Sequence, residues 1–246
     1  MGYLIGIGKG NNEEILRAYN KLMDESIDVE LIDNPKELIQ NVVNNKVDGA
    51  IRGTLPSSKV IPYLKKEIGK FYRASILKNP FTGDIFLLAP VGIDEIGKDS
   101  FKDKINIINY SINFLKDRGI VPKIGLLSSG RLSDYGRGKR IDELIDECES
   151  IIKYFKDCNI CNNYYNNICI KHKGILIEEY LKEGYNVIVA PDGISGNLIF
   201  RCLGLVCGIE GYGAVILNRN NIKFIDTSRS GNWKRYYNAV KFMAKI

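Results

Sequence analysis

The chain lacks what would place it in a membrane or on nucleic acid. Its longest apolar stretches are broken by Arg201, Glu210 or glycine, so none approaches the ~20 residues that cross a bilayer. Lysine and arginine do not cluster with aromatics along any one element. A formal charge of +6 and a pI near 8.9 are too mild to argue for a polyanionic partner. The start, Met1-Gly2-Tyr3-Leu4-Ile5-Gly6, carries no basic region ahead of its apolar residues and reads as a first strand, not a secretion signal. Gly6 stands where a myristoylation pattern wants Ser or Thr. There is no low-complexity linker and no repeat at solenoid period. Histidine is all but missing, with His172 the only one. These absences predict a cytoplasmic protein with no membrane and no nucleic-acid partner. Its six cysteines would be reduced, hence metal ligands or buried residues before disulfides.

What remains is an ordinary globular composition. The chain has 246 residues, 45% apolar and 26% charged, which suits one large domain or two closely packed small ones. Apolar, β-branched runs at 3–7, 29–32, 49–52, 124–127, 168–170, 187–190 and 214–217 predict strands. Two more, 74–77 and 85–88, are joined by the turn residues Asn79 to Asp84. Helical spacing covers 12–23, 35–44, 57–68, 100–117, 139–155, 175–182, 198–206 and 234–244. Strands alternating with helices of this length predict an α/β fold, a mostly parallel sheet with helices on both faces.

In open parallel sheets, ligands bind beyond the C-terminal ends of strands. Five segments at such positions are rich in glycine and small hydroxyl residues. They are Gly6 to Asn11, Arg52-Gly53-Thr54, Ser128-Ser129-Gly130-Arg131, Pro191 to Asn197, and Asp226 to Gly231. One glycine turn after a strand is usually only a turn. Five together favour an anion-binding cleft, because backbone N–H groups at a glycine turn or helix start aim at phosphate. Ser128, Ser129, Gly130, Gly193, Ser195, Gly196 and Asn197 would donate, and Arg52, Arg73 and Arg229 would neutralise, bidentate arginine suiting that task better than lysine. The first segment also approximates a dinucleotide fingerprint, with its third glycine one residue early and Asp33 placed for a ribose.

Cys158, Cys161, Cys169 and His172 form C-x2-C-x7-C-x2-H, a donor set for a closed tetrahedral zinc site. An iron–sulfur cluster with Cys148 as a further sulfur is the other metal reading. Against both, Cys169 lies between Ile168 and Ile170 and reads equally as a core residue. Cys202 and Cys207 are expected in the core.

Four of these segments, in order, carry a family likeness. Asp48-Gly-Ala-Ile-Arg-Gly-Thr54, Ile124-Gly-Leu-Leu-Ser-Ser-Gly-Arg131, Val189-Ala-Pro-Asp-Gly-Ile-Ser-Gly-Asn197 and Asp226-Thr-Ser-Arg-Ser-Gly231 together resemble the phosphate acetyl/butyryl transferases. The likeness runs from about residue 45 to the end. The compact length and Met1-Gly-Tyr-Leu-Ile-Gly-Ile-Gly-Lys-Gly10 look like that family's methanogenesis marker branch, described as a methyltransferase subunit, MtxX.

The resemblance implies two doubly wound α/β/α domains with a cleft between them, an isocitrate-dehydrogenase-like (phosphotransacetylase) fold. One domain would comprise 1–94 and 215–246, the other 95–214. It further implies that Asp192, Ser195, Gly196 and Asn197 line an acyl-phosphate site and that Ser228 and Arg229 are the catalytic pair. The sequence departs from the family at one place. An acidic residue about seven positions after that serine is taken to accept the coenzyme A thiol proton, the general-base help that a thiol needs. Here Asn232 to Tyr236 contain no carboxylate. The expected protein is therefore a transferase-like binder of a phosphate-bearing or carboxylate molecule, linked to methanogenesis or one-carbon metabolism, with ordinary phosphotransacetylase activity doubtful. The rival is a non-catalytic or regulatory methyltransferase subunit that keeps the fold and the ligand site. Implied partners are a small anionic substrate, a methyltransferase protein and a second copy in a homodimer.

Overall fold

A computed structural model describes residues 3–161, 168–229 and 231–244. The chain forms two compact units, Met1–Ile76 with Gly211–Ile246, and Leu77–Glu210. The division thus falls at 76/77 and 210/211, where the sequence reading put it at 94 and 214.

Unit 1 is built on β1 (Ile5–Gly8), β2 (Val29–Ile32), β3 (Gly49–Ile51) and β4 (Tyr72–Lys78), whose last two residues already belong to unit 2. The late strands β9 (Gly211–Leu217) and β10 (Phe224–Asp226) return to it, in the order β2-β1-β3-β10-β9-β4. β2, β1, β3 and β10 are parallel, whereas β9 is antiparallel to β10. β1 and β3 are buried at every residue, as strands covered on both faces must be.

The helices of unit 1 follow from local chemistry. α1 (Glu14–Asp24) buries Ile15, Ala18 and Leu22 along one stripe. α2 (Pro35–Val43) starts where Asn34 accepts from Lys36 N and Glu37 N, with proline in the first turn, where no N–H is missed. α3 (Ser57–Ile68) buries Val60, Leu64 and Ile68, and Pro62 faces solvent. α8 (Trp233–Ala244) closes the chain, burying Tyr236, Ala239, Val240 and Met243.

Unit 2 orders its strands β5 (Ile85–Ala89), β8 (Val187–Val189), β6 (Lys123–Leu126) and β7 (Cys169–His172), all parallel. Leu87 pairs with Val187 and Ala89 with Val189, so β5 belongs to this unit and not with the N-terminal strands. α4 (Ser100–Lys116), α5 (Lys139–Cys161), α6 (Ile177–Lys182) and α7 (Gly193–Phe200) complete it. α5 continues past the expected end at 155 to Cys161. α7 begins at Gly193, five residues before the apolar spacing suggested, because Asp192 caps it. Among the described residues no helix is long and apolar enough to cross a membrane.

The turns after β1 and β3 are pressed together. Thr54 N donates to Gly8 O at 3.0 Å. A Cβ on Gly8 would lie 2.1 Å from Arg52 O, and one on Gly53, at φ +58, would lie 2.0 Å from Gly8 O. Only glycine permits that approach, so Gly8→Ala and Gly53→Ala should each cost about 1–3 kcal/mol or more through forced backbone shifts. Gly138→Ala, where nothing lies within 4 Å, should be neutral within about 0.5 kcal/mol. Urea denaturation of the three variants checks this.

Candidate functional site

The pressed turns shape a cavity of about 760 Å³ in unit 1, at the C-terminal ends of β1, β2 and β3. Lys9, Asp33, Thr54, Lys59 and Arg229 are on its wall with Asn11 and Asn12. Gly10 N donates to Thr54 Oγ1 at 2.6 Å, and a Cβ on Gly10 would meet Thr54 O at 2.5 Å. The glycines of the first segment therefore serve close packing of one turn on another. That purpose explains why their spacing misses the dinucleotide pattern.

Arg229 is carried to this cavity by its backbone. Asn12 Nδ2 donates to Arg229 O at 3.2 Å, and Tyr236 Oη lies 2.8 Å from Ser228 O and 3.1 Å from Arg229 O. Burial pushes the Tyr236 phenol up from its ordinary value, which keeps it a neutral donor to these carbonyls. With the main chain held, the exposed Arg229 side chain reaches the cavity wall. Among the described residues Lys9, Lys59 and Arg229 form no ion pair, and Asp33 is the carboxylate on that wall. At the start of α8 stands Glu14, whose Oε2 accepts from Trp233 N at 2.8 Å and so caps the helix.

Arg52 does not do what the sequence suggested. It is buried, and its guanidinium donates to Asp226 Oδ1, Leu55 O and Thr227 O. Arg73 Nη1 lies 3.4 Å from Asp226 Oδ2. Both arginines attend an internal carboxylate at the end of β10, a strand that went unread in the sequence and brings Asp226 there. Arg52, with its donors engaged inside the fold, is thus corrected from an anion-neutralising residue to a structural one.

The Asp192 turn is likewise committed internally. Asp192 Oδ1 accepts from Ser195 N at 2.7 Å, and Asp192 O accepts from Gly196 N at 3.0 Å. Asn197 Nδ2 donates to Val91 O at 2.9 Å. A Cβ on Gly193 would lie 1.7 Å from Gly92 O, and one on Gly196 1.9 Å from Pro90 O. Gly193 and Gly196 therefore admit neighbouring backbone, and an aspartate already occupies the helix N-terminus. A second cavity, about 470 Å³, opens here among Ser100, Arg140, Glu143, Glu147 and Asp192. Three carboxylates against one arginine disfavour a second anion. The donor roles expected of Ser195, Gly196 and Asn197 are taken up within the protein.

Ser128 and His172, assigned to different sites from sequence, meet. His172 Nε2 lies 2.9 Å from Ser128 Oγ, and Nδ1 lies 2.9 Å from Glu149 Oε1. The line resembles a nucleophile, base and acid, but Ser128 is 1% exposed and its hydroxyl also donates to Gly130 O at 3.1 Å. The ring joins β7, α5 and the turn after β6. Next to it, the Ser129 hydroxyl is buried with no hydrogen-bond partner among the described residues.

With both ring nitrogens engaged, His172 offers a metal no lone pair as it stands. Cys169 Sγ faces Tyr185 Oη at 3.6 Å. Burial pushes the Cys148 thiol up to about 12, and its Sγ lies 3.8 Å from Leu127 O. Among the described residues no group of three His, Cys, Asp or Glu is placed to hold a metal. The side chains of Cys158 and Cys161 lie outside the described residues. Cys202 and Cys207 are exposed, not core, because the helix carrying them turns that face outward.

The Arg52 assignment has a direct test. Arg52→Met strands Asp226 with Arg73 alone in a largely buried place, and removing one partner of a buried pair costs about 3–5 kcal/mol. Chemical denaturation should show that loss. A change below 1 kcal/mol would return Arg52 to the surface role.

No family model matches the chain. It is 60% identical over 244 residues to a methyltransferase of Methanocaldococcus jannaschii described as uncharacterised, covering 98% of this chain and 96% of the relative. It is 38% identical over 234 residues to the methyltransferase mtx subunit X of Methanosarcina barkeri, covering 94% and 80%. Among solved structures, a branched-chain phosphotransacylase from Enterococcus faecalis superposes with a TM-score of 0.74 at 15% identity, covering 100% of this chain and 99% of that one. A phosphotransacetylase from Staphylococcus aureus gives 0.67 at 14%, covering 99% and 94%. Those identities speak for the fold alone. The chain belongs to the family of the Mtx subunit X methyltransferase proteins and has the α/β fold of the phosphotransacylases.

Proposed function

We propose that the chain is a transferase-type, methyltransferase-associated subunit of one-carbon metabolism in methanogenesis, and that it holds a phosphate-bearing or carboxylate molecule in the unit 1 cavity. The observation that carries this reading is the set Lys9, Lys59 and Arg229 on one wall, with no ion pair among the described residues to satisfy them. Three cations facing a cavity of about 760 Å³, a size usual for small-molecule sites, attract an anion. Arg229 supplies the planar fork that a phosphate or carboxylate accepts. Thr54 adds a hydroxyl, and Asp33 would orient a hydroxyl or a cationic part of the same ligand. The names of the relatives support the methyltransferase association.

Calorimetric titration with inorganic phosphate and with acetyl phosphate tests the site. Hydrogen bonds to charged groups are worth about 1.5–3 kcal/mol. Arg229→Ala and Lys59→Ala should therefore each weaken binding roughly tenfold or more, and added salt should weaken it further. Binding that ignores both substitutions would sink the assignment.

A second reading is a non-catalytic subunit with the same ligand, favoured by the lack of a carboxylate between Asn232 and Tyr236. Without a placed base, acyl transfer from acetyl phosphate to coenzyme A should run about 10²–10⁴-fold slower than with one. The two readings share that expectation, since the proposed transferase need not use coenzyme A. Turnover at the roughly 1–10³ per second of ordinary enzymes would instead mean that an acid such as Asp33 serves as base.

A further inference from the structure

The carboxylate of Asp33 is out of place on a wall meant only for an anion. Beside Lys9, Lys59 and Arg229 it repels whatever they attract. β1 and β2 pair Gly8 with Ile32, and Lys9 N donates to Ile32 O at 2.8 Å. Lys9 and Asp33 therefore leave the sheet side by side, their backbones about 5 Å apart. Opposite charges so close would ordinarily join, yet among the described residues neither side chain enters an ion pair or a hydrogen bond. Asp33 is positioned by its neighbours in the chain. Ile32 is buried in the ladder, and the Asn34 side chain accepts from Lys36 N and Glu37 N to start α2. The two Asp33 oxygens, which can only accept, thus face the cavity and suit a neutral donor.

The sheet indicates which donor. The chain runs from β1 outward to β2, then crosses back to β3 on the other side of β1. The crevice beyond β1 and β3 is therefore the topological switch point of a doubly wound sheet. The cavity takes Lys9 and Asn12 from the segment after β1, Thr54 and Lys59 from that after β3, and Asp33 from the end of β2. At such a point a nucleotide's phosphate lies by the first turn, and an acid past the next strand bonds a ribose hydroxyl. One detail differs here. Gly10 N is engaged by Thr54 Oγ1, so Lys9, Lys59 and Arg229 side chains take the phosphate in place of a glycine turn.

A ribose cis-diol presents two O–H groups on adjacent carbons, one for each carboxylate oxygen. We propose that the ligand of the unit 1 cavity is a ribose 5′-phosphate compound with its 2′,3′-diol unsubstituted. Its phosphate meets the three cations and its diol meets Asp33. This ligand class rests on the anion-site reading given above and carries one exclusion. A ribose with a 3′-phosphate, as in coenzyme A, brings a second anion against the carboxylate, and like charges in contact are rejected.

Calorimetric titration of the full chain with AMP, 2′-deoxy-AMP, coenzyme A and dephospho-coenzyme A tests the diol. AMP should bind about tenfold or more tighter than its deoxy form, as expected for one hydrogen bond to a charged group. Dephospho-coenzyme A should exceed coenzyme A by at least as much. Asp33→Ala, at an exposed position and with an unchanged circular dichroism spectrum, should level both pairs and bind inorganic phosphate more tightly, a like charge having gone. Ribose 5-phosphate equal to AMP would make the ligand a sugar phosphate, and a weaker one a nucleotide; either keeps the diol. Equal binding of AMP and 2′-deoxy-AMP, beside phosphate binding that Arg229→Ala weakens, would overturn the diol and leave the anion site standing. A preference for AMP that persists in Asp33→Ala would overturn it as well. Failure of inorganic phosphate and AMP alike to bind would remove the anion site, and the diol with it.

Discussion

The buried contact between Arg52 and Asp226 organises unit 1. β3 and β10 are parallel neighbours in the sheet and lie far apart in sequence. Their ends must be held together before any loop beyond them has a fixed shape. Arg52 does this with one planar group, bonding the Asp226 carboxylate and the Leu55 and Thr227 carbonyls. Thr227 Oγ1 adds a bond to Gly53 O at 2.9 Å. The Gly53 turn, the Gly8 turn pressed on it and the 228–229 loop thereby become one rigid rim. Desolvating an ion pair is costly, and it persists here because its remaining donors are satisfied by backbone oxygens.

That rim explains how cations can stand on a cavity wall with no ion pair among the described residues. Lysines and an arginine gathered on a free loop would splay apart into water. Here Lys9 follows the β1 turn, Lys59 sits in the first turns of α3, and the Arg229 backbone is pinned by Asn12 and Tyr236. Their repulsion is opposed by scaffold contacts that involve none of their charges. In the proposed reading, an anion relieves that repulsion, so its affinity draws on strain the fold already holds.

Much of this was legible in the sequence, and what was missed has physical causes. The alternating strand and helix pattern announced the sheet, since periodicity reports burial directly. β10 escaped because its two apolar residues, Phe224 and Ile225, stand between Lys223 and Asp226 and make no longer apolar run. The strand-end rule picked out loops that line the unit 1 cavity, Arg229 and Thr54 among their residues. It could not say which loop offers free donors. At Asp192 the same letters that cap an anion site cap a helix with its own carboxylate, and only the 2.7 Å bond to Ser195 N decides between them. Arg52 and Arg229 look alike in sequence, yet Arg52 has Asp226 beside it and Arg229 forms no ion pair among the described residues. His172 was read as a ligand for want of any clue that Ser128 and Glu149 lie on either side of it.

The glycines of α7 tie its packing to its exposed face. Gly193 and Gly196 let the helix settle directly on the backbone at Pro90 and Gly92. A helix seated that closely has no room beneath it for large side chains. Ile194, Leu198, Leu205 and Val206 therefore point away from the unit, where water opposes them at roughly 25 cal/mol per Å² exposed. The apolar outer face is then a consequence of how the turn at Asp192 is packed. In a phosphate-binding turn the glycines would instead open the backbone toward a ligand, and the helix behind them could bury its leucines. The same Asp-Gly-x-Ser-Gly-Asn run that suggested an anion site thus accounts, once its contacts are known, for the apolar outer face of α7.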